Sequence, residues 1–303
     1  MERNSFLYKI RRKAQVIAYK VVPSKLLSKF YFKIVVNKAL NIDNPKTFNE
    51  KLQWCKLYYY PNNPLVIQCT DKYEVRKYIK KKGFGDTLVP LLGVWDEAKD
   101  IEWNKLPDKF VLKANHGCAY NILCSNKKAF NKNDAVTQLN KWMKEDFGVF
   151  NVEVHYSKIK KHKIICEEYL GDEITDYKFF CFNGELKFMY VSNNLVNDRQ
   201  AQIGFFYLDG SKMPLKRDDY ADIKEIELPA FFNEMKDMAK VLCSEFPFVR
   251  VDFFLANDRY YFAELTFTPG ACMMPFNPEK VDNEWGDMLD ISDLIGNYKK
   301  ERE

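Results

Sequence analysis

The chain has no apolar run approaching the roughly 18 residues that a membrane-spanning helix needs, so no span is expected in it. Near its start the apolar stretch Val16–Val22 is split by Lys20, and a cleaved secretory leader is not expected either. Histidine is scarce, at three residues. The nearest approach to a zinc cluster is His116, Cys118 and Cys124, and no fourth ligand is spaced beside them. The eight cysteines (Cys55, Cys69, Cys118, Cys124, Cys166, Cys181, Cys243 and Cys272) include no C-x-x-C pair. Most sit inside apolar runs, which suits free thiols in a reducing cytoplasm. No internal repeat, low-complexity tract or D-x-D triplet occurs.

What is present is bulk and a lopsided charge. With 303 residues, 47% of them apolar and 16% aromatic, the chain can bury a large core as one large or two to three smaller domains. The net charge of +5 is local: residues 1–36 hold nine Lys/Arg against one Glu, so the remainder carries −3. A nucleic-acid-binding core is therefore not expected. Residues 5–36 read as helix, with Phe6, Ile10, Ala14, Ile17 and Val21 recurring at three- and four-residue spacing until Pro23 breaks the run. Lys9, Arg12, Lys13 and Lys20 lie off that stripe. The stripe is expected to pack on the chain's own core with the basic face in water. Weak peripheral contact of residues 1–36 with an anionic membrane surface stays open as the alternative.

The most informative stretch is Phe248–Gly270, FVRVDFFLANDRYYFAELTFTPG. Two β-branched and aromatic arms flank a polar break, which predicts a β-hairpin. Asp252 and Glu264 sit inside the apolar arms, where a carboxylate is costly unless it is paired or binds metal. Arg250 precedes Asp252 by two residues and so shares its face. If Asp252 faces Glu264 across the ladder, the loop is Asn257–Arg259, three residues long, or an equivalent bulge supplies the odd residue. One face then carries Arg250, Asp252, Glu264 and Thr266, with two hard oxygen donors for Mg²⁺. Without metal the two carboxylates are expected to repel, so neutralising either spares the fold or raises its stability. The competing reading is a purely structural ion pair of Arg250 with a carboxylate.

Other stretches carry weaker signals. Thr47 and Glu50 form a capping box at the start of Phe48–Leu57. Thr70 or Asp71 caps a second helix, which puts Lys72 in a first turn, where a cation is disfavoured unless an anion lies nearby. Phe110–Lys113 is a short strand followed by the small-residue loop Asn115–Ala119. Lys113 at its end can reach phosphate as a point charge, and backbone N–H groups in such loops approach phosphate closely. Ile164–Gly171 is an apolar strand ending in Glu167 and Glu168. Asp176–Phe182 meets Asn183-Gly184, a hairpin turn, and Lys178 is the cation within its first arm.

R-V-D-F-F in one strand and E-L-T-F-T-P-G in the next resemble the metal-binding hairpin of ATP-grasp ligases, the D-alanine–D-alanine ligases among them. The string NPKTFNEKLQW, residues 44–54, resembles the signature of the TupA-like ATP-grasp family, named for teichuronopeptide synthesis. The resemblance spans roughly residues 40–295. It implies an α+β ATP-grasp fold, two α+β subdomains gripping ATP, preceded by a mostly helical region. The expected divisions are residues 1–100 for that region, 101–165 for the smaller lid subdomain, and 166–303 for the larger subdomain with the hairpin. It further implies that Lys72 and Lys113 meet the nucleotide phosphates, with His116 and Gly117 in the phosphate loop. Glu167, Glu168, Tyr169 and Leu170 would form the adenine hinge, and Asp172 or Glu173 would hold the ribose. Lys178 and Arg250 would act on phosphate or substrate, and Asp252, Glu264 and Thr266 would hold Mg²⁺. Thr266 stands where many such ligases carry Asn, which leaves one or two metal ions open.

The activity this implies is ATP- and Mg²⁺-dependent joining of a carboxylate to an amine in the cytoplasm, for bacterial cell-surface polysaccharide or polymer synthesis. A uronic acid to be amidated, or an acidic peptide to be extended, fits the family context. Three rivals are a polysaccharide glycosyltransferase, which the missing D-x-D disfavours, a kinase on the same fold, and a non-catalytic nucleotide-binding scaffold, which the presence of both Asp252 and Glu264 disfavours.

Overall fold

The computed structural model describes residues 6–193, 201–218 and 220–301. Two sheets organise the chain. The smaller contains β1 (Leu91–Trp95), β2 (Phe110–Ala114), β3 (Asn121–Cys124) and β4 (Ile164–Glu168), all antiparallel, in the order β1-β4-β2-β3. The larger contains β5 (Thr175–Phe182), β6 (Glu185–Asn193), β7 (Gln202–Tyr207), β8 (Ala221–Asp222), β9 (Phe248–Ala256) and β10 (Arg259–Thr266), in the order β10-β9-β5-β6-β7-β8. Ten helices accompany them among the described residues: α1 (Phe6–Val21), α2 (Ser24–Val36), α3 (Phe48–Trp54), α4 (Pro64–Thr70), α5 (Val75–Lys81), α6 (Lys132–Lys144), α7 (Val154–Ser157), α8 (Phe232–Cys243), α9 (Lys280–Met288) and α10 (Ser292–Lys300).

Strand alternation sorts the larger sheet into two layers. On one face Phe180, Phe182 and Phe248 pack with Phe48 of α3 and Trp285 of α9, at ring separations of 5.0–5.5 Å for the Phe48 pairs and 5.2 Å for Phe180–Trp285. On the other, Phe179 meets Phe232 of α8, whose Met235, Met238, Ala239 and Leu242 are all buried. Helices α3, α4 and α5 therefore share one core with the larger sheet. Fully burying each such aromatic is worth roughly 1.5–3 kcal/mol, which makes this the dominant core. Gly286 allows the close approach of α9 to α3, since a Cβ there would lie 2.4 Å from the Lys46 carbonyl.

Two expectations are corrected here, and the hairpin takes the bulge rather than the three-residue loop. The smaller subdomain does not begin at 101 or end at 165, because β1 and β4 are its paired strands and extend it over about 91–168. Residues before 91 are not a separate unit, since α3–α5 lie in the large core. The hairpin loop is two residues, Asn257 and Asp258, both at positive φ (52° and 53°) as a type I′ turn requires. A bulge between Phe262 and Glu264 then supplies the missing one-residue shift, so that Asp252 faces Glu264 and Arg250 faces Thr266.

The packing of α1 is also the reverse of the expectation. Gln15 is buried, with its amide donating to the Phe150 carbonyl, and Arg12 lies over the Phe150 ring at 3.1 Å. The apolar stripe turns outward instead: Phe6 is 76% exposed, Ile17 65% and Val21 74%. No helix among the described residues is long and apolar enough to cross a membrane.

Candidate active site

The charged residues of the hairpin belong to a pattern that spans three neighbouring strands. Asp176 and Lys178 on β5, Arg250 and Asp252 on β9, and Glu264 and Thr266 on β10 are each spaced by two and each present one face. Strand register places Lys178 beside Asp252 and Asp252 beside Glu264, forming one row across the sheet. Arg250 grips Asp252 at two points, Nε to Oδ1 at 2.7 Å and Nη2 to Oδ2 at 2.6 Å. The Lys178 ammonium reaches Asp252 Oδ2 at 3.1 Å and Asp176 Oδ1 at 2.7 Å. Burial works against the charge on both cations, but Asp176 and Asp252 override it at Lys178, and Asp252 and Glu264 at Arg250, holding both above their ordinary range. Burial holds the Asp252 carboxyl above its ordinary range and Glu264 adds to the rise, while Arg250 and Lys178, standing among the carboxylates, oppose it, so the expected repulsion is offset rather than removed.

Glu264 differs from Asp252. Asp252 is wholly buried, whereas the Glu264 side chain keeps 39% exposure and borders the cleft. Burial would raise its pKa, yet Lys72, Lys178 and Arg250 push it down to about 2. Its Oε1 accepts the Thr266 hydroxyl at 2.9 Å, and that same oxygen of Thr266 accepts from Arg250 Nη2 at 3.1 Å. Thr266 thus works as a strut between Glu264 and Arg250.

These donors fit Mg²⁺. Among the described residues no three acidic, His or Cys side chains converge as a ready metal cage. Nucleotide-bound Mg²⁺ needs only one or two carboxylates, with phosphates and water completing its octahedron. Glu264 opens on the cleft, whereas Asp252 lies buried behind it and does not line it, its Oδ1 accepting a single hydrogen bond and keeping a lone pair.

A cleft of about 2220 Å³ lies above this row and separates it from the smaller sheet. Lys72, Lys113, Arg76 and Glu167 line it, as do Cys118, Ala119 and Tyr120 of the loop after β2. Lys113 Nζ meets Glu167 Oε2 at 2.5 Å, and Arg76 meets the other oxygen at 3.2 Å. Lys72 Nζ donates to the Gly117 carbonyl at 2.6 Å. Asp71 caps the turn into α5 through Tyr73 and Glu74 N–H groups and receives Asn115 Nδ2 at 2.7 Å. The turn between α4 and α5 that carries Lys72, rather than the helical first turn expected, is thereby tied to the loop carrying Gly117. His116 does not line the cleft. It is buried against the neighbouring layer, stacked on His162 at 3.5 Å and bonded to the Trp142 carbonyl at 3.0 Å, with burial pulling its pKa down to about 4.

At the far end, Val89, Leu170, Ile174 and Phe254 make an apolar wall suited to a flat base. Glu168 N–H is taken by the Pro90 carbonyl and Leu170 O by Asn257 Nδ2, which pins the segment joining the two sheets. Of the two ribose candidates, Asp172 lines the cleft and receives the Tyr169 hydroxyl, while Glu173 is exposed and does not line it.

Sequence reasoning passed over several residues. Asp176 and Arg76 complete the two charge clusters. Asp176 stood two residues before Lys178, a spacing that could have marked it. The capped helix α3 also does more than pack: Asn49, Gln53 and Lys56 recur at four- and three-residue spacing and hold the chain after β10. Asn49 bonds both N–H and C=O of Met274 and the Asp282 carboxylate, Gln53 reaches the Cys272 carbonyl, and Lys56 reaches the carbonyls of Asn151 and Ala271. The segment they hold contains Gly270, Ala271 and Cys272, all at positive φ (55–61°), a conformation costly for Ala and Cys unless the surroundings impose it.

Two α+β halves closing on a cleft, with cations from both and the Glu264 carboxylate along it, are the architecture of an ATP-grasp protein. The family model described as TupA-like ATPgrasp matches residues 50–290, and the chain belongs to that family. Among solved structures, it is similar to the D-alanine–D-alanine ligase of Bacillus anthracis at 18% identity, over 78% of this chain and 70% of that one, with a TM-score of 0.46. It is similar to the Helicobacter pylori D-alanine–D-alanine ligase at 14%, over 80% and 69%, with a TM-score of 0.46. The L-amino acid ligase of Bacillus licheniformis matches at 15%, over 68% and 44%, with a TM-score of 0.43. No curated protein matches the chain.

Proposed function

We propose that the chain is an ATP- and Mg²⁺-dependent ligase that joins a carboxylate to an amine through an acyl-phosphate, in the synthesis of a bacterial cell-surface polymer. The observation that carries this reading is the row Lys178–Asp252–Glu264, whose Lys178 and Glu264 line the cleft opposite Lys72 and Lys113, while Asp252, buried, and Arg250, largely buried, sit behind them. Asp252 and Glu264 would hold the metal, which would supply charge neutralisation at the phosphates. Lys72 and Lys113 offer cations to the phosphates from the opposite wall. The Val89–Leu170–Phe254 wall receives the base, and Asp172 is placed for the ribose.

The chemistry asks little of any nucleophilic side chain. A substrate carboxylate oxygen attacks the γ-phosphorus and ADP leaves. An amine then attacks the acyl carbon, phosphate leaves, and the amine gives up a proton. Arg250 and Lys178, fixed and charged, would stabilise the negative charge that builds on the phosphoryl and acyl oxygens. Holding both substrates there supplies much of the acceleration. A uronic acid or an acidic peptide unit is the carboxylate class that the family name favours.

The test is a screen of uronic acids and amino acids with ATP and Mg²⁺, reading free phosphate. Phosphate release that needs both an acid and an amine, and that vanishes in Glu264→Gln, is expected. ADP formed without amine dependence, with the phosphoryl group retained on the product, would make the protein a kinase.

A further inference from the structure

The described residues expose fourteen large hydrophobic side chains, and nine of them lie between residues 6 and 35. They are not scattered. Phe6, Ile10, Ile17 and Val21 make one outward stripe on α1, and Leu26, Phe30 and Ile34 make another on α2 at four-residue spacing. Both helices pack inward by other residues: Gln15 and Arg12 on α1, Leu27, Ser28 and Phe32 on α2. Residues 6–36 carry eight Lys/Arg and no Asp/Glu. Lys9, Lys13 and Lys20 each stand three positions after a stripe residue, along one edge, and none is in an ion pair among the described residues. Lys25 is partly neutralised by Asp43 at 2.5 Å.

We propose that α1 and α2 together form a docking surface for an anionic lipid bilayer, lying in the headgroup layer with both stripes toward the acyl chains. The charge pattern selects this occupant. A second copy of the chain would bring the same cations against one another, whereas anionic headgroups complement them. Lysines bordering an apolar stripe keep their ammonium groups at headgroup level while their stems cover apolar surface. Phe6, Ile10 and Ile17 also border the mouth of the cleft, so docking sets that mouth at the membrane face. The docking stands independently of the ligase reading; only its consequence, access for a lipid-anchored acid or amine, rests on that reading.

The experiment uses the full chain and vesicles of phosphatidylcholine alone or with roughly one-third phosphatidylglycerol, an anionic lipid. Co-flotation with the anionic vesicles only, weakening as salt shortens the Debye length, is expected. Each cation near the surface contributes roughly fivefold, so Lys9→Glu/Lys13→Glu/Lys20→Glu is expected to weaken binding at least a hundredfold. Ile17→Ser on α1 and Phe30→Ser on α2 are each expected to weaken it roughly tenfold. All three variants replace exposed side chains and are expected to keep the wild-type melting temperature. No binding to anionic vesicles at low salt overturns the proposal, as does equal binding to neutral ones. A dimer in sedimentation that Ile17→Ser dissociates overturns it in favour of a second copy. Because the α2 stripe does not border the cleft, loss in Ile17→Ser with Phe30→Ser silent overturns the two-helix surface.

Discussion

Replacing Asp252 by Asn removes one negative charge from a wholly buried site while keeping the side chain's size. In the native arrangement that carboxylate takes two hydrogen bonds from Arg250, at 2.7 and 2.6 Å, and one from Lys178 at 3.1 Å. Breaking a buried, paired ion by removing one partner costs about 3–5 kcal/mol, because the surviving charge is left uncompensated. Here the low end applies. Asp176 still holds Lys178 at 2.7 Å, Glu264 lies 3.6 Å from Arg250, and the Asn oxygen still accepts one bond. A loss of about 3 kcal/mol in a chain of this length lowers the melting temperature by roughly 5 °C. The assay is scanning calorimetry of the metal-free, nucleotide-free protein. Glu264→Gln, on a side chain 39% exposed, is expected to shift the transition far less. A melting temperature for Asp252→Asn equal to or above wild type would refute the reasoning. It would mean that the carboxylates repel one another more than the cations hold them together.

Lys113→Ala removes a cation from the cleft wall and leaves Glu167 to Arg76 alone. Nucleotide affinity by calorimetry is expected to fall at least tenfold, about 1.4 kcal/mol, and unchanged affinity would sink the phosphate-wall assignment. His155 and His116 are buried, and burial lowers their pKa values to about 3 and about 4. The unfolded chain takes up these protons below about pH 6.5, before the folded one does, so stability is full above that pH. It declines as pH falls toward 4, by up to roughly 1.4 kcal/mol per unit for each histidine. Urea midpoints measured from pH 7 to 4 are expected to show this slope, and His155→Leu to flatten it. A slope identical in the variant would remove His155 as its source.

The face shared by Arg250 and Asp252, the hairpin containing them and the capped start of α3 were legible in the sequence, because each depends on spacing within a few residues. The period-2 pleat sends residues 250 and 252 one way whatever surrounds them. The capping box needs only Thr47 and Glu50.

Other features depended on what lies far away in sequence. Whether Asp252 meets Glu264 turns on a bulge at Ala263, a one-residue slip that no local propensity announces and that would otherwise send Glu264 to the far face. His116 sits in a loop of the right composition, but its ring is claimed by Trp142 and His162 from beyond the loop. The work of Asn49, Gln53 and Lys56 appears only once residues 271–274 fold back against them. The stripe of α1 was legible as apolar, but not its direction. A helix buries whichever face finds partners, and here Phe150 and Tyr120 offered them to Arg12 and Gln15, leaving Phe6, Ile17 and Val21 outside. Local periodicity determines what faces a helix has; only the tertiary contacts decide which one is turned to water.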